Sequence, residues 1–184
     1  MNHLRVHGSI FFLLRKFVIH SFSIAHWSEI LGIAGLSGEV FDIHQNYPLE
    51  NLNSIIDSAS ELSGIKVFDL KEKFGEYMVP DLFVMYHSYL NPNWKTFDVL
   101  ENTEKVMHGA VRSMNSSASP PVLHVNRVNE NLIIIDYHSK RKMGSLAIGI
   151  IKGIALFYNE STEISVIPVT DPDDERMQIK VIKS

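Results

Sequence analysis

The sequence predicts an α+β protein in one domain over residues 1–184. A helical first part, about 6–117, precedes a ββαββ second part, about 118–184, with an antiparallel sheet. Three observations carry this reading. Apolar residues recur at three- and four-residue spacing as far as Met114, and the period changes to two after Pro121. Beyond that point one long apolar stretch separates two pairs of alternating runs, each pair joined by a turn.

Taken in order, Gly8 to Ile19 has apolar residues at 10, 11, 13, 14, 17 and 18, a broad helical stripe. A second helix, about Ile24 to Ile33, ends at the glycine-rich GLSG. In YPLENLNSIIDSASELSG, Pro48 lies near a helix start, apolar residues recur at 52, 55, 56, 59 and 62, and Gly64 is a C-terminal stop. KVFDLKEKFGEYMVPDLFVMYHSYL reads as a short helix up to Phe74-Gly75 and another through Leu90, before the loop NPNW. The helix from about Phe97 to Met114 carries Leu100, Val106, Met107, Ala110 and Val111 and closes into NSSASPP. VLHVNRV, the turn NEN and LIIIDYHS make a hairpin. MGSLAIGIIKGIALFYNE is a long apolar helix, and EISVIPV, TDPDDE and RMQIKVIK make a second hairpin.

A net charge of −4 with no basic stripe argues against a nucleic-acid surface. The chain has no cysteine, which removes disulfides and thiolate ligation and fits a reducing compartment. The apolar SIFFLLRKFVI is interrupted by Arg15 and Lys16, too early for a membrane span, and no small-residue cleavage site follows it. The expectation is a cytoplasmic protein with no membrane segment.

IIIDYHSKRKMG sets the functional question. Alternate residues of a strand share a face, so Tyr137, Ser139 and Arg141 would present two hydroxyls and a guanidinium in one row, with His138 and Lys140 behind them. Of the nine histidines, His3 and His7 lie at an end expected to be mobile, and His20, His26, His44, His87 and His124 show no i, i+3 or i, i+4 pairing on a helix, whereas a zinc site needs three or four converging ligands. A lone helical histidine is ordinarily a hydrogen-bonded structural residue. His108, however, sits on an apolar helix just before SSASPP, and a single neutral imidazole there is what a haem iron needs on its proximal side. The Tyr/Ser/Arg row can hold the two propionates of that haem by hydroxyl donors and a charge-assisted fork.

These residues resemble the H-NOX (haem–nitric oxide/oxygen) domains, including the haem domain of soluble guanylate cyclase. Tyr137-His138-Ser139-Lys140-Arg141 matches the family's Y-x-S-x-R propionate motif. His108 followed by Pro120-Pro121 matches the proximal histidine and the downstream proline that presses on the haem. GSIF near the start and LAIGIIKGIA after the motif resemble corresponding segments, and the similarity runs from about Val6 onward. Met1 to Arg5 precede it and are expected to be disordered. Gly109 directly follows the ligand, and a glycine inside a helix costs roughly 1 kcal/mol against alanine, so local softness is expected there.

The resemblance implies a haem b whose iron is held by His108, with Pro121 against the macrocycle and Tyr137, Ser139 and Arg141 on the propionates. It assigns Ile10, Leu14, Met78, Leu146 and Ile150 to the distal wall, all of them apolar. Oxygen-binding members carry a tyrosine where this chain has Leu146. The implied function is a gas sensor, not an enzyme, that binds nitric oxide, and also carbon monoxide, at ferrous iron. Binding would weaken or break the iron–histidine bond and signal to a separate histidine kinase or diguanylate cyclase. Two other readings stay open: a haem-free interaction module that keeps the fold, and a haem enzyme such as a peroxidase. The distal wall offers the latter no histidine–arginine pair for acid–base work.

Overall fold

The computed structural model describes residues 4–114 and 119–184, apart from the side chain of Met114. The turn expected at 115–118 and the first three residues of the segment expected to be disordered lie outside the described residues. The chain divides into two compact units, Met1–Phe74 and Gly75–Ser184.

In the first unit, strand β1 (Arg5–His7) pairs antiparallel with β2 (Asn46–Pro48), Val6 opposite Tyr47. Arg5, expected to be disordered, is therefore the first residue of a strand. Helix α1 (Gly8–Ser21) comes directly after, and His7 caps it by accepting from the Ser9 amide. Only glycine fits at its first position, because a Cβ on Gly8 would lie 1.9 Å from the Asp42 carbonyl oxygen. The stripe read from the sequence is the buried one: Phe11, Leu13, Leu14, Phe17 and Val18 are all in the core. Phe11 stacks on Phe41, and Tyr47 meets both rings edge-on. Helix α2 (Ile24–Ile33) is capped by Ser23, and α3 (Leu49–Ser63) buries Leu52, Ile55, Ile56 and Ala59 before Gly64 stops it in a left-handed conformation.

Helix α4 (Val67–Met85) corrects the expected break at Phe74-Gly75: it is one helix, with Gly75 and Pro80 inside it, followed by a 3-10 turn at His87–Tyr89. Gly75 bears on its packing against α7 (Gly144–Phe157) in the second unit. A Cβ on Gly75 would stand 2.3 Å from the Leu146 carbonyl oxygen, and one on Gly153 would stand 2.7 Å from the Glu76 carbonyl oxygen. Pro80 lacks the N–H that would bond that same Glu76 carbonyl in a regular helix. The two helices thus approach backbone to backbone at two glycines, and Gly75 is placed by tertiary contact.

Helix α5 (Thr96–Asn102) begins where the Asp98 carboxylate accepts from the Lys95 amide at 2.9 Å and Glu160 accepts from the Thr96 amide at 3.0 Å. The expected single helix from Phe97 to Met114 is helical throughout, but Thr103–His108 is a π-turn between α5 and α6 (Gly109–Met114). The Gly109 amide reaches back to the Glu104 carbonyl, an i→i+5 bond.

Strands β3 (Val122–Asn129), β4 (Leu132–His138), β5 (Ile164–Pro168) and β6 (Arg176–Lys183), with α7 between the pairs, give the expected ββαββ order. The sheet is antiparallel in the order β3-β4-β6-β5. Ile133, Ile135 and Tyr137 of β4 lie opposite Val181, Ile179 and Met177 of β6, and all six side chains are buried. Asp136 and His138 take the other face. Among the described residues no helix is long and apolar enough to cross a membrane.

Candidate functional site

The site is built from three pieces of the second unit. The first is the π-turn. His108 ends it with its ring largely buried, its side chain 17% exposed, and Nδ1 lies 3.0 Å from Oε2 of Glu104. That same oxygen accepts from the Leu123 amide at 3.1 Å, while Oε1 accepts from Arg112 at 2.5 Å. Burial pushes the Glu104 carboxyl up, but the hydrogen bonds from His108, Arg112 and Leu123 outweigh it and hold the group below its ordinary range. Burial pulls the His108 imidazole down, and Arg112 adds to this; Glu104 and the Pro121 carbonyl oppose it without cancelling it. Both directions favour a neutral ring facing an ionised carboxylate at neutral pH. An ionised carboxylate can only accept, so Nδ1 carries the proton and Nε2 the lone pair. The Pro121 carbonyl is within hydrogen-bonding reach of the ring as well, but the charged acceptor is the stronger one.

The second piece is the end of β4, where the expected strand row needs correction. The strand stops at His138, and the chain turns: the Lys142 amide donates to the Ser139 carbonyl at 3.1 Å, and the Arg141 amide to the Ser139 hydroxyl at 3.2 Å. Serine hydroxyls compete for nearby backbone amides, which is why the alternation fails here. The turn still gathers the three residues. Tyr137 and Ser139 are 4% and 8% exposed, Arg141 is half-buried and Lys140 is exposed. Burial raises the Tyr137 phenol, against the hydrogen bond from Ser139 and the charge of Arg141, and burial lowers the Arg141 guanidinium. Arg141 also donates to the Ser119 carbonyl.

The third piece is the crossing of α4 and α7. Leu146 and Ile150, one turn apart on α7, flank the point where Gly75 meets the helix backbone, and the buried Met78 stands one turn further along α4. Ile10, half-buried, and Leu14, buried, belong to α1 of the first unit.

The first two pieces are joined. Leu123, whose amide is held by Glu104, lies opposite Tyr137 in the sheet, and Ser119, held by Arg141, is two residues before Pro121 at the His108 ring. Sequence reasoning missed Glu104 and Arg112. Their only signal was a carboxylate four residues before His108, a spacing shared with many surface ion pairs.

The donor set fits a haem. Among the described residues no group of three or more His, Asp or Glu side chains could hold a metal ion, whereas a haem would bring its own ring nitrogens and ask one imidazole of the protein. Two buried hydroxyls and a partly desolvated guanidinium form a donor cluster of the chemistry carboxylates take. A cleft of about 440 Å³, lined by His124, Asp136, His138, Arg176 and Gln178 among others, opens on the face of β4 opposite Tyr137 and is unrelated to this set.

A model of the haem-NO-binding family matches residues 7–166. Searched against curated proteins, the sequence finds no match. Among solved structures, the chain is similar to an H-NOX protein from S. oneidensis in its Fe(II)NO ligation state, with a TM-score of 0.88, 18% identity and coverage of 97% of this chain and 99% of that one. It is similar as well to an Fe(II) unliganded H-NOX protein from K. algicida, at TM-score 0.85, 18% identity and 97% of each chain. A T. Tengcongensis H-NOX mutant gives TM-score 0.85 and 21% identity over 97% and 98%.

Proposed function

The chain belongs to the haem-NO-binding family, and on that premise we propose that it is a haem-based sensor of nitric oxide that reports to a separate protein. The observation that carries this is the pairing of one largely buried imidazole, His108 held by Glu104, with the Tyr137–Ser139–Arg141 donor cluster across Ser119–Pro121. His108 would hold the iron through Nε2. Tyr137, Ser139 and Arg141 would bind the propionates, and Pro121 would press on the haem. When bound, ferrous haem b would supply an iron able to bind a diatomic gas.

The chain's own residues govern both ligand choice and signal. Met78, Leu146 and Ile150, assigned to the distal side, offer no hydrogen-bond donor, so a ligand that acquires negative charge gains nothing from them. Nitric oxide and carbon monoxide need no such donor. Glu104 ties His108 to the Leu123 amide, so a displacement of the imidazole is passed to the edge strand of the sheet. Such a displacement becomes a signal when a partner binds the two arrangements differently. A histidine kinase or a diguanylate cyclase in the same cytoplasm is the partner class that the family resemblance supplies. The chain itself carries out no catalysis in this reading.

The experiment is the absorption spectrum of the purified, reduced protein with and without nitric oxide. A Soret band that moves with nitric oxide is expected in the wild type. His108→Ala should remain folded and lose haem unless imidazole is supplied. An unchanged ferrous spectrum in that variant would remove His108 from the site.

A further inference from the structure

Glu104 does more than balance a charge. Its two oxygens collect three donors from three elements: the His108 ring and the Leu123 amide on Oε2, and the Arg112 guanidinium on Oε1. A carboxylate so held has little freedom to rotate, and its direction is fixed before any metal arrives. Glu104 and His108 both belong to the π-turn, and the same Glu104 oxygen that meets the His108 ring also takes the Leu123 amide of β3. π-turns are uncommon and occur frequently at functional sites.

We propose that Glu104 is the positioning residue for the metal ligand: its carboxylate keeps the His108 proton on Nδ1, leaves Nε2 as the donor, and strengthens that donor toward ferrous iron. The inference rests on the haem reading of this site. Its chemistry is that of a carboxylate–histidine–metal triad, in which partial transfer of the Nδ1 proton raises electron density on the other ring nitrogen. A more basic Nε2 holds iron more firmly, so Glu104 would set how readily the His108 ring lets go of it. Arg112 acts one step further out, by drawing on Oε1 and tempering the basicity of the carboxylate.

The test combines resonance Raman spectra of the haem-loaded ferrous protein with imidazole nitrogen-15 NMR of the haem-free protein. Glu104→Gln keeps a neutral acceptor and should lower the iron–histidine stretching frequency; Glu104→Ala should lower it further and weaken haem binding about 10- to 100-fold. Arg112→Ala, which keeps the His108–Glu104 bond, should leave the frequency at or above the wild-type value. A merely structural role for Glu104 would reduce haem occupancy without moving the frequency of the molecules that remain loaded, and that result overturns the proposal. Should the Glu104 variants fail to fold, the wild type alone decides: an Nε2–H tautomer for His108 in the haem-free protein overturns the proposal, and an Nδ1–H tautomer sustains it. Failure of the wild type to bind haem at all would instead bring down the functional reading on which it rests.

Discussion

Gly75 and Leu146 meet backbone to backbone: a Cβ on Gly75 would lie 2.3 Å from the Leu146 carbonyl oxygen and 2.9 Å from the Ile150 amide nitrogen. Neither atom is the end of a side chain that could swing aside. Gly75→Ala should therefore destabilise the protein by about 1–3 kcal/mol, the usual cost of overpacking, although alanine is the better helix former by roughly 1 kcal/mol. Urea denaturation at unchanged m-value checks this; a stabilised variant would mean the two helices are not this close.

The turn after His138 makes a prediction about charge. Arg141 is half-buried beside Tyr137, while Lys140 is exposed on the same turn. A hydrogen bond to a charged group contributes about 1.5–3 kcal/mol, so Arg141→Ala should weaken haem retention roughly 10- to 150-fold and Lys140→Ala should have little effect. Haem transfer to a competing apoprotein measures both, and equal losses would exclude Arg141 as a propionate donor.

Ligand choice turns on Leu146. With no donor near the outer atom of bound oxygen, the reduced wild type should bind nitric oxide and carbon monoxide and give no stable oxygen complex in air. Leu146→Tyr adds a hydroxyl worth about 1–3 kcal/mol if it reaches the ligand, roughly 5- to 150-fold in oxygen affinity. A persistent oxy spectrum in the unmutated protein would remove Leu146 from the distal side.

A fourth prediction concerns pH. Burial raises the Glu160 carboxyl, but hydrogen bonds from Lys183 at 2.6 Å and the Thr96 amide at 3.0 Å outweigh it, so its folded pKa lies below the ordinary value. A depressed carboxyl contributes stability that is complete above the unfolded pKa and is lost as pH falls through the folded one. Glu160→Gln should cost about 1.5–3 kcal/mol near neutrality, and the gap to wild type should close on acidification below the ordinary carboxyl range. Thermal melts of both proteins from pH 7 downward read it; a gap independent of pH would assign the loss to shape alone.

The features legible in the sequence and those hidden in it divide along physical lines. The stripe of α1 and the alternation of β4 were legible because one buried face imposes one period. The break expected at Gly75 was a local reading of a residue whose reason is a helix crossing far away in sequence. Pro48 and Gly64 act locally, and both were legible. The ribbon of β1 and β2 was too short to show a period. At the site, Tyr137, Ser139 and Arg141 were identifiable as a set, yet the strand geometry drawn for them was wrong: the Ser139 hydroxyl captures the Arg141 amide, and a turn gathers what a strand would have aligned. The π-turn left no trace, since one residue more per turn barely disturbs an apolar pattern only two turns long.

That extra residue also fixes where the helix can change length. In an α-helix each residue advances the phase by about 100°, so one deletion turns everything beyond it by that angle. Thr103–His108 holds one residue more than an α-turn would. Removing Lys105 or Val106 would let the segment close as ordinary α-helix, with Gly109–Met114 still in phase with α5 while Glu104 loses one residue of spacing to both His108 and Arg112. A deletion in α5 or α6 would have no such reserve. The six residues ahead of Gly109 are thus the stretch of this helix with slack in its numbering, and it is the stretch that ends on the histidine.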